Sequence, residues 1–278
     1  MEQTTPTLFA NIPEIQAASG LYFHCGNLYI ISDNTLVLYI FNIKTKTLET
    51  ISLNPEQSQI IALPKKVKPD FESITFSEEK LFLFSSGSTK KRTQLKVIDI
   101  ASKEISNHSL EKLYSKMRTT TAILNEDFNI EGVILEKDTA YFFNRNNGPN
   151  QNSGIIKVDN WKNHDTASIA YFPISLPIIN GVPFGFTDAC WVDGSIFFSA
   201  SAEASNSTYD DGEVLGSGIG KISFPELKLL DFKIISNNLK IEGLSLLQKH
   251  NNKLEFLFCT DADNEQSECP IYNWFWNI

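Results

Sequence analysis

The chain has 278 residues, 42% hydrophobic and 21% charged, with a formal charge of −9 and a pI near 5.0. That is enough chain to bury a large core, and its composition is too apolar for a disordered polypeptide. The acidity argues against nucleic acid as a main partner, since phosphate binding needs a basic surface, and no apolar run approaches the roughly 18 residues of a membrane span.

In chain order, the first β-type run is 7–12. The preceding residues lack the basic and apolar regions of a secretion signal, so the cytoplasm is the expected location. Runs at 21–23, 28–31, 37–41 and 48–51 follow, rich in β-branched and aromatic residues and separated by turn residues, the pattern of an antiparallel meander. The same four-run unit returns at 74–76, 81–84, 95–100 and 104–110. It returns again at 133–135, 140–143, 155–158 and 168–172, and then at 190–192, 195–198, 219–222 and 229–234. A last copy has only three runs, at 244–246, 254–258 and 272–276. A short helical pattern over 109–117 interrupts the series.

A four-strand unit recurring about every 55 residues is a β-propeller blade. The sequence therefore predicts an all-β, five-bladed β-propeller with four-stranded antiparallel blades, a single domain over residues 1–278. The last blade lacks one strand, and the run 7–12 is the spare one. Pairing the N-terminal strand into that blade closes the ring and removes two open sheet edges.

Each copy opens on an acidic phrase: Phe71-Glu72-Ser73-Ile74, Ile130-Glu131-Gly132-Val133, Thr187-Asp188-Ala189-Cys190 and Ile241-Glu242-Gly243-Leu244. The first copy, Ser19-Gly20-Leu21-Tyr22, has serine instead. The first strand of a blade lies innermost, so Glu72, Glu131, Asp188 and Glu242 are expected to converge on one mouth of the central channel. The loops joining second and third strands crown the same mouth and bring Ser86, Ser88, Asn144, Asn146, Ser201, Glu203, Thr260 and Asp261. Two such charges roughly 6 Å apart repel by about 3 kcal/mol at an effective dielectric near 20. Three things can offset that cost: a hard cation with oxygen ligands, for which calcium fits best; basic side chains, from Arg118, Arg145, Lys90, Lys91 and Arg92; or protons and hydrogen bonds from backbone N–H groups. The expected metal set is Glu72, Glu131, Asp188 and Glu242 with Asn144 and Asn146, and Arg145 and Arg118 are the expected contacts for an anionic ligand.

The phrases 70–74, 128–133 and 240–244 resemble the repeated acidic signature of phytase-like and esterase-like β-propellers, and, within them, uncharacterised bacterial propeller proteins assigned to a domain of unknown function. The resemblance implies a propeller and calcium on the channel axis, and it implies no particular activity. Ser19 in the first copy and Ala189 after Asp188 in the fourth depart from the signature.

The remaining motifs point nowhere specific. The glycine-rich run 216–221 leads into a strand, whereas a phosphate loop must open a helix. The acidic run 261–266 has Gln266 where a calcium loop of the EF-hand type needs glycine. The four histidines share no ligand spacing. Cys25, Cys190, Cys259 and Cys269 form no CxxC pair and are expected as free thiols. The leading functional expectation is a binding or scaffold protein whose mouth holds calcium and a small polar or anionic ligand. The alternatives are a metal-dependent hydrolase of a lactone, ester or phosphate ester, and a metal-free platform for a protein partner using the stretch 199–217.

Overall fold

A computed structural model describes residues 5–54, 62–145, 148–150, 153–204, 212–261 and 268–278. It contains five four-stranded antiparallel sheets arranged as the blades of a propeller. Blade one runs outward through Ala18–His24, Asn27–Ser32, Val37–Asn42 and Leu48–Ser52. Blade two is Phe71–Ser77, Lys80–Ser85, Gln94–Asp99 and Ile105–Ser109; blade three is Ile130–Glu136, Thr139–Asn144, Gly154–Asp159 and Ser168–Pro173. Blade four is Gly185–Val192, Ser195–Glu203, Val214–Ile222 and Leu229–Ser236. Blade five has Lys240–Lys249 innermost, then Lys253–Asp261 and Glu268–Asn277, and its outer strand is the N-terminal segment Thr7–Pro13. Thr7 pairs with Asn273 and Pro13 with Glu268, so the chain's first strand closes the ring as the strand count requires.

The cores lie between blades. Phe82, Phe84, Phe142 and Trp161 fill the space between blades two and three, and Phe197, Phe256, Trp274 and Trp276 fill that between four and five. These aromatics meet edge-on or tilted, the arrangements their quadrupoles favour. The interruption after blade two is a helix, Glu111–Thr121, whose Leu113, Tyr114 and Met117 are buried in the two–three core. It begins two residues later and ends four residues later than the periodicity suggests.

Two features differ from expectation. The stretch 199–217 is not one long loop: the second and third strands of blade four reach Glu203 and start again at Val214. Its serines, alanines and glycines read as loop residues, but they pair across the sheet, with Ser201 Oγ 2.7 Å from Ser217 Oγ. Between blades three and four a small hairpin, Ile178–Ile179 with Val182–Pro183, turns through Asn180 and Gly181, both at positive φ. Among the described residues no helix is long and apolar enough to cross a membrane.

Candidate functional site at the channel mouth

The innermost strands share one irregularity. At the mouth end of each, pairing with the second strand skips one residue: Ser19, Glu72, Glu131, Thr187 and Glu242. A bulge of this kind re-aims the skipped side chain, and the three glutamates among them line a common recess on the axis. The residue after the bulge packs against the next blade. A Cβ on Gly132 would lie 2.9 Å from the Ala189 nitrogen of blade four, and one on Gly243 would lie 2.6 Å from the Leu21 nitrogen of blade one. The Glu-Gly phrase thus has two separate causes: the bulge presents the acid, and the neighbouring backbone leaves room only for glycine.

Blade four breaks this register. Its bulge residue is Thr187, so Asp188 occupies the slot that holds glycine in blades one, three and five. The carboxylate of Asp188 accepts the N–H of Ala189 at 2.7 Å and that of Leu244, in blade five, at 2.8 Å. Asp188 is 1% exposed and bonds two blades together, while Thr187 Oγ1 donates to Ser199 Oγ at 2.9 Å.

Loops add charges that the repeat does not announce. Beside Glu72, Asp33 and Asp70 each bring an oxygen to within 4.8 Å of it and of one another. Lys68 Nζ bonds Asp33 Oδ2 and lies 2.9 Å from Asp70 Oδ1. Arg92 lies 2.8 Å from Asp70 Oδ2, which also accepts the Ser86 hydroxyl. On the other side Glu131 accepts Asn129 Nδ2 at 2.6 Å and lies 3.4 Å from Arg145. Arg145 donates to Glu203 at 2.5 Å, and Lys240 lies 3.1 Å from Glu242 and 3.6 Å from Glu203. The residue two before the bulge recurs as a contributor: Asp70, Asn129 and Lys240.

Each half holds three carboxylates against two bases: Asp33, Asp70 and Glu72 with Lys68 and Arg92, then Glu131, Glu203 and Glu242 with Arg145 and Lys240. Lys65 and Asp261, one charge of each sign, complete the lining. The excess is felt by the acids. Burial, then Asp70, Glu131 and Asp33, hold the Glu72 carboxyl well above the usual carboxylate range. Burial also pushes Glu131 up to about 8 against the pull of Arg145, and raises Glu242 and Asp33. Glu72 makes no hydrogen bond or ion pair with any described residue, and Asp33 Oδ1 is buried without a hydrogen bond. The recess between these groups has a volume of about 80 Å³.

Other expected residues sit elsewhere. Asn144 is fully buried and committed to backbone: its Oδ1 accepts Asn129 N–H, and its Nδ2 donates to Asp127 O and Arg145 O. Asn146 and most of the run 261–266 lie outside the described residues. Arg118 stacks over Phe128, 4.9 Å from the ring centroid, and donates to Gly87 O outside the recess lining. Lys90 and Lys91 are exposed on the rim loop, whereas Arg92 turns in.

A model of a family of unknown function, DUF6929, matches residues 14–273. The chain belongs to this family. No match to a curated protein sequence is found. Among solved structures, an exo-1,5-α-L-arabinanase from a bovine ruminal metagenomic library superposes with a TM-score of 0.54 at 9% identity, covering 96% of this chain and 97% of that one. RS223 β-xylosidase gives 0.51 at 9% identity, with 97% and 94% covered. The calcium-binding protein regucalcin from Agrobacterium tumefaciens gives 0.46 at 11% identity, with 97% and 92% covered. At these identities the likeness to the first two is one of fold, the propeller.

Proposed function

We propose that the channel mouth binds a hard divalent cation, calcium in the first place, and that the protein is a binding module rather than a catalyst. The observation that carries this reading is the composition of the recess: with Glu203 counted, two carboxylate charges beyond what its bases compensate, one of them on Glu72, which makes no hydrogen bond or ion pair with a described residue, around a space of about 80 Å³. The donors fit such an ion. Among the described residues neither oxygen of Glu72 nor Oδ1 of Asp33 has a hydrogen bond, and hard carboxylate oxygens without thiol or imidazole suit calcium or magnesium better than zinc or copper. Glu131 and Glu242 face the same space, and the remaining coordination positions suit water or one small anionic ligand. Asp188, with both oxygens on backbone N–H groups, stands outside this set.

The rival reading, a hydrolase, draws support from the proton that Glu131 holds near neutrality, as a general acid must, and from the sugar-cleaving names of two fold neighbours. Size weighs against it. Pockets that take organic molecules span roughly 300–1,000 Å³, and about 80 Å³ holds an ion with a few waters. The test is calcium titration by calorimetry on the native chain and on Glu72→Gln and Asp188→Asn. The expected result is saturable binding, at least about tenfold weaker in Glu72→Gln and little changed in a folded Asp188→Asn. Absence of binding at millimolar calcium, or equal affinity in Glu72→Gln, rejects the reading.

A further inference from the structure

The far end of the channel is lined differently from the mouth. Beyond the glycine layer, one segment from each of the five innermost strands lines a second recess, of about 340 Å³. Its walls include Tyr22 of blade one, Phe76 of blade two, Ile134 of blade three, Cys190 and Trp191 of blade four and Leu246 of blade five. No lining residue carries a charge. The volume is some four times that of the mouth and falls where small-molecule pockets begin.

The walls are fixed by packing. Phe76 is stacked on Tyr22 at 5.8 Å and on His24 at 4.3 Å, and Trp191 stands edge-on to Phe224 at 4.6 Å. All five blades contribute, so the recess is preformed by ring closure and an occupant need order little protein to bind. Tyr22, Phe76 and Trp191 are only partly buried, which leaves apolar surface facing water, a cost of about 25 cal/mol per Å² that an apolar occupant recovers. The Tyr22 hydroxyl makes no hydrogen bond with any described residue. Burial, with Cys190 adding from the far side of the ring, pushes its pKa up to about 12, so it remains a proton donor at every physiological pH. A charged occupant would lose its hydration here and meet no opposite charge.

We propose that this end of the channel binds a small neutral molecule, mostly apolar and of one-ring size, that offers one hydrogen-bond acceptor to the Tyr22 hydroxyl. Acetophenone is a suitable probe, having one ring and one carbonyl; benzoate and benzylammonium are charged counterparts of similar shape. Saturation-transfer NMR and titration on the full chain should show acetophenone binding at least tenfold more tightly than either charged compound. Thr75→Trp, which fills the recess, should abolish binding. Tyr22→Phe, which keeps the packing and removes only the hydroxyl, should weaken it about 2–10-fold, and it decides the matter if the tryptophan variant does not fold. Glu72→Gln should leave it unchanged. No saturable binding by the native chain up to the probe's solubility, equal binding of benzoate, or binding unaffected by Tyr22→Phe overturns the proposal.

Discussion

The two ends of the channel share the same five inner strands, yet one is a knot of twelve charged groups and the described lining of the other has none. Part of the difference comes from one residue per blade, and the rest from charges on loops and strand ends. At the mouth a bulge lifts Ser19, Glu72, Glu131, Thr187 or Glu242 out of the pairing pattern, and a polar side chain can stand on the axis. One residue later, at Gly132 and Gly243, the inner strand meets the backbone of the next blade. Beyond that contact the inner strands of blades one to four pair regularly, that of blade five slips once more between Leu246 and Gln248, and an apolar residue facing the axis is a continuation of the inter-blade core. The glutamates of the repeat are therefore held at one end by local backbone geometry, and the layer after the bulge separates the two recesses.

The largest effect should come from removing a cation at the mouth. Arg145→Met takes the nearest cation from Glu131 and leaves Glu203 only Lys240 at 3.6 Å, and breaking a buried pair in this way costs about 3–5 kcal/mol. Chemical denaturation should show that loss, and adding Glu203→Gln should recover part of it. If Arg145→Met is as stable as the native chain, the charges at the mouth are not coupled as described. Next comes the layer between the ends. Gly132→Val places a side chain against the Ala189 nitrogen and should cost about 1–3 kcal/mol by overpacking; an unchanged melting temperature would mean that the blades do not meet there.

A smaller effect should appear with pH, chiefly from the mouth, with the buried Asp188 carboxyl, also raised by burial, adding in the same direction. Glu72, Glu131, Glu242 and Asp33 have raised folded-state pKa values, so the native chain keeps protons that the unfolded chain releases above about pH 4.5. Their contribution to stability is therefore fully present at the acid side of that window. It is lost as pH rises toward the folded values, about 8 for Glu131. The melting temperature should fall by several degrees between about pH 5 and pH 8, and saturating calcium should flatten that slope. A melting temperature that rises across the same range contradicts the assignment of raised pKa values to the mouth.

Much of this was legible in the chain. Alternation and turn residues give the blades, the strand count gives the N-terminal closure, and the repeated phrase brings Glu72, Glu131 and Glu242 to one end. The slip at Asp188 was not legible, because a bulge is a property of pairing between strands and Thr187-Asp188 reads like the other phrases until its partner Ser199 is known. Asp33, Lys68 and Lys240 were missed for another reason: they stand in loops or at strand ends, and only ring closure brings them together. A signal existed for Lys240, which precedes its bulge by two residues as Asp70 and Asn129 precede theirs. The second recess had no signal at all, since its lining residues follow the ordinary apolar pattern of inner strands.

The central claim is that the mouth carries two negative charges which protons balance until a cation takes their place. Calcium titration at pH 7 in buffers of different ionisation enthalpy counts the protons released per ion bound. The account predicts a release of between about one and two protons, reduced in Glu72→Gln; calcium binding with the same heat in every buffer would contradict it.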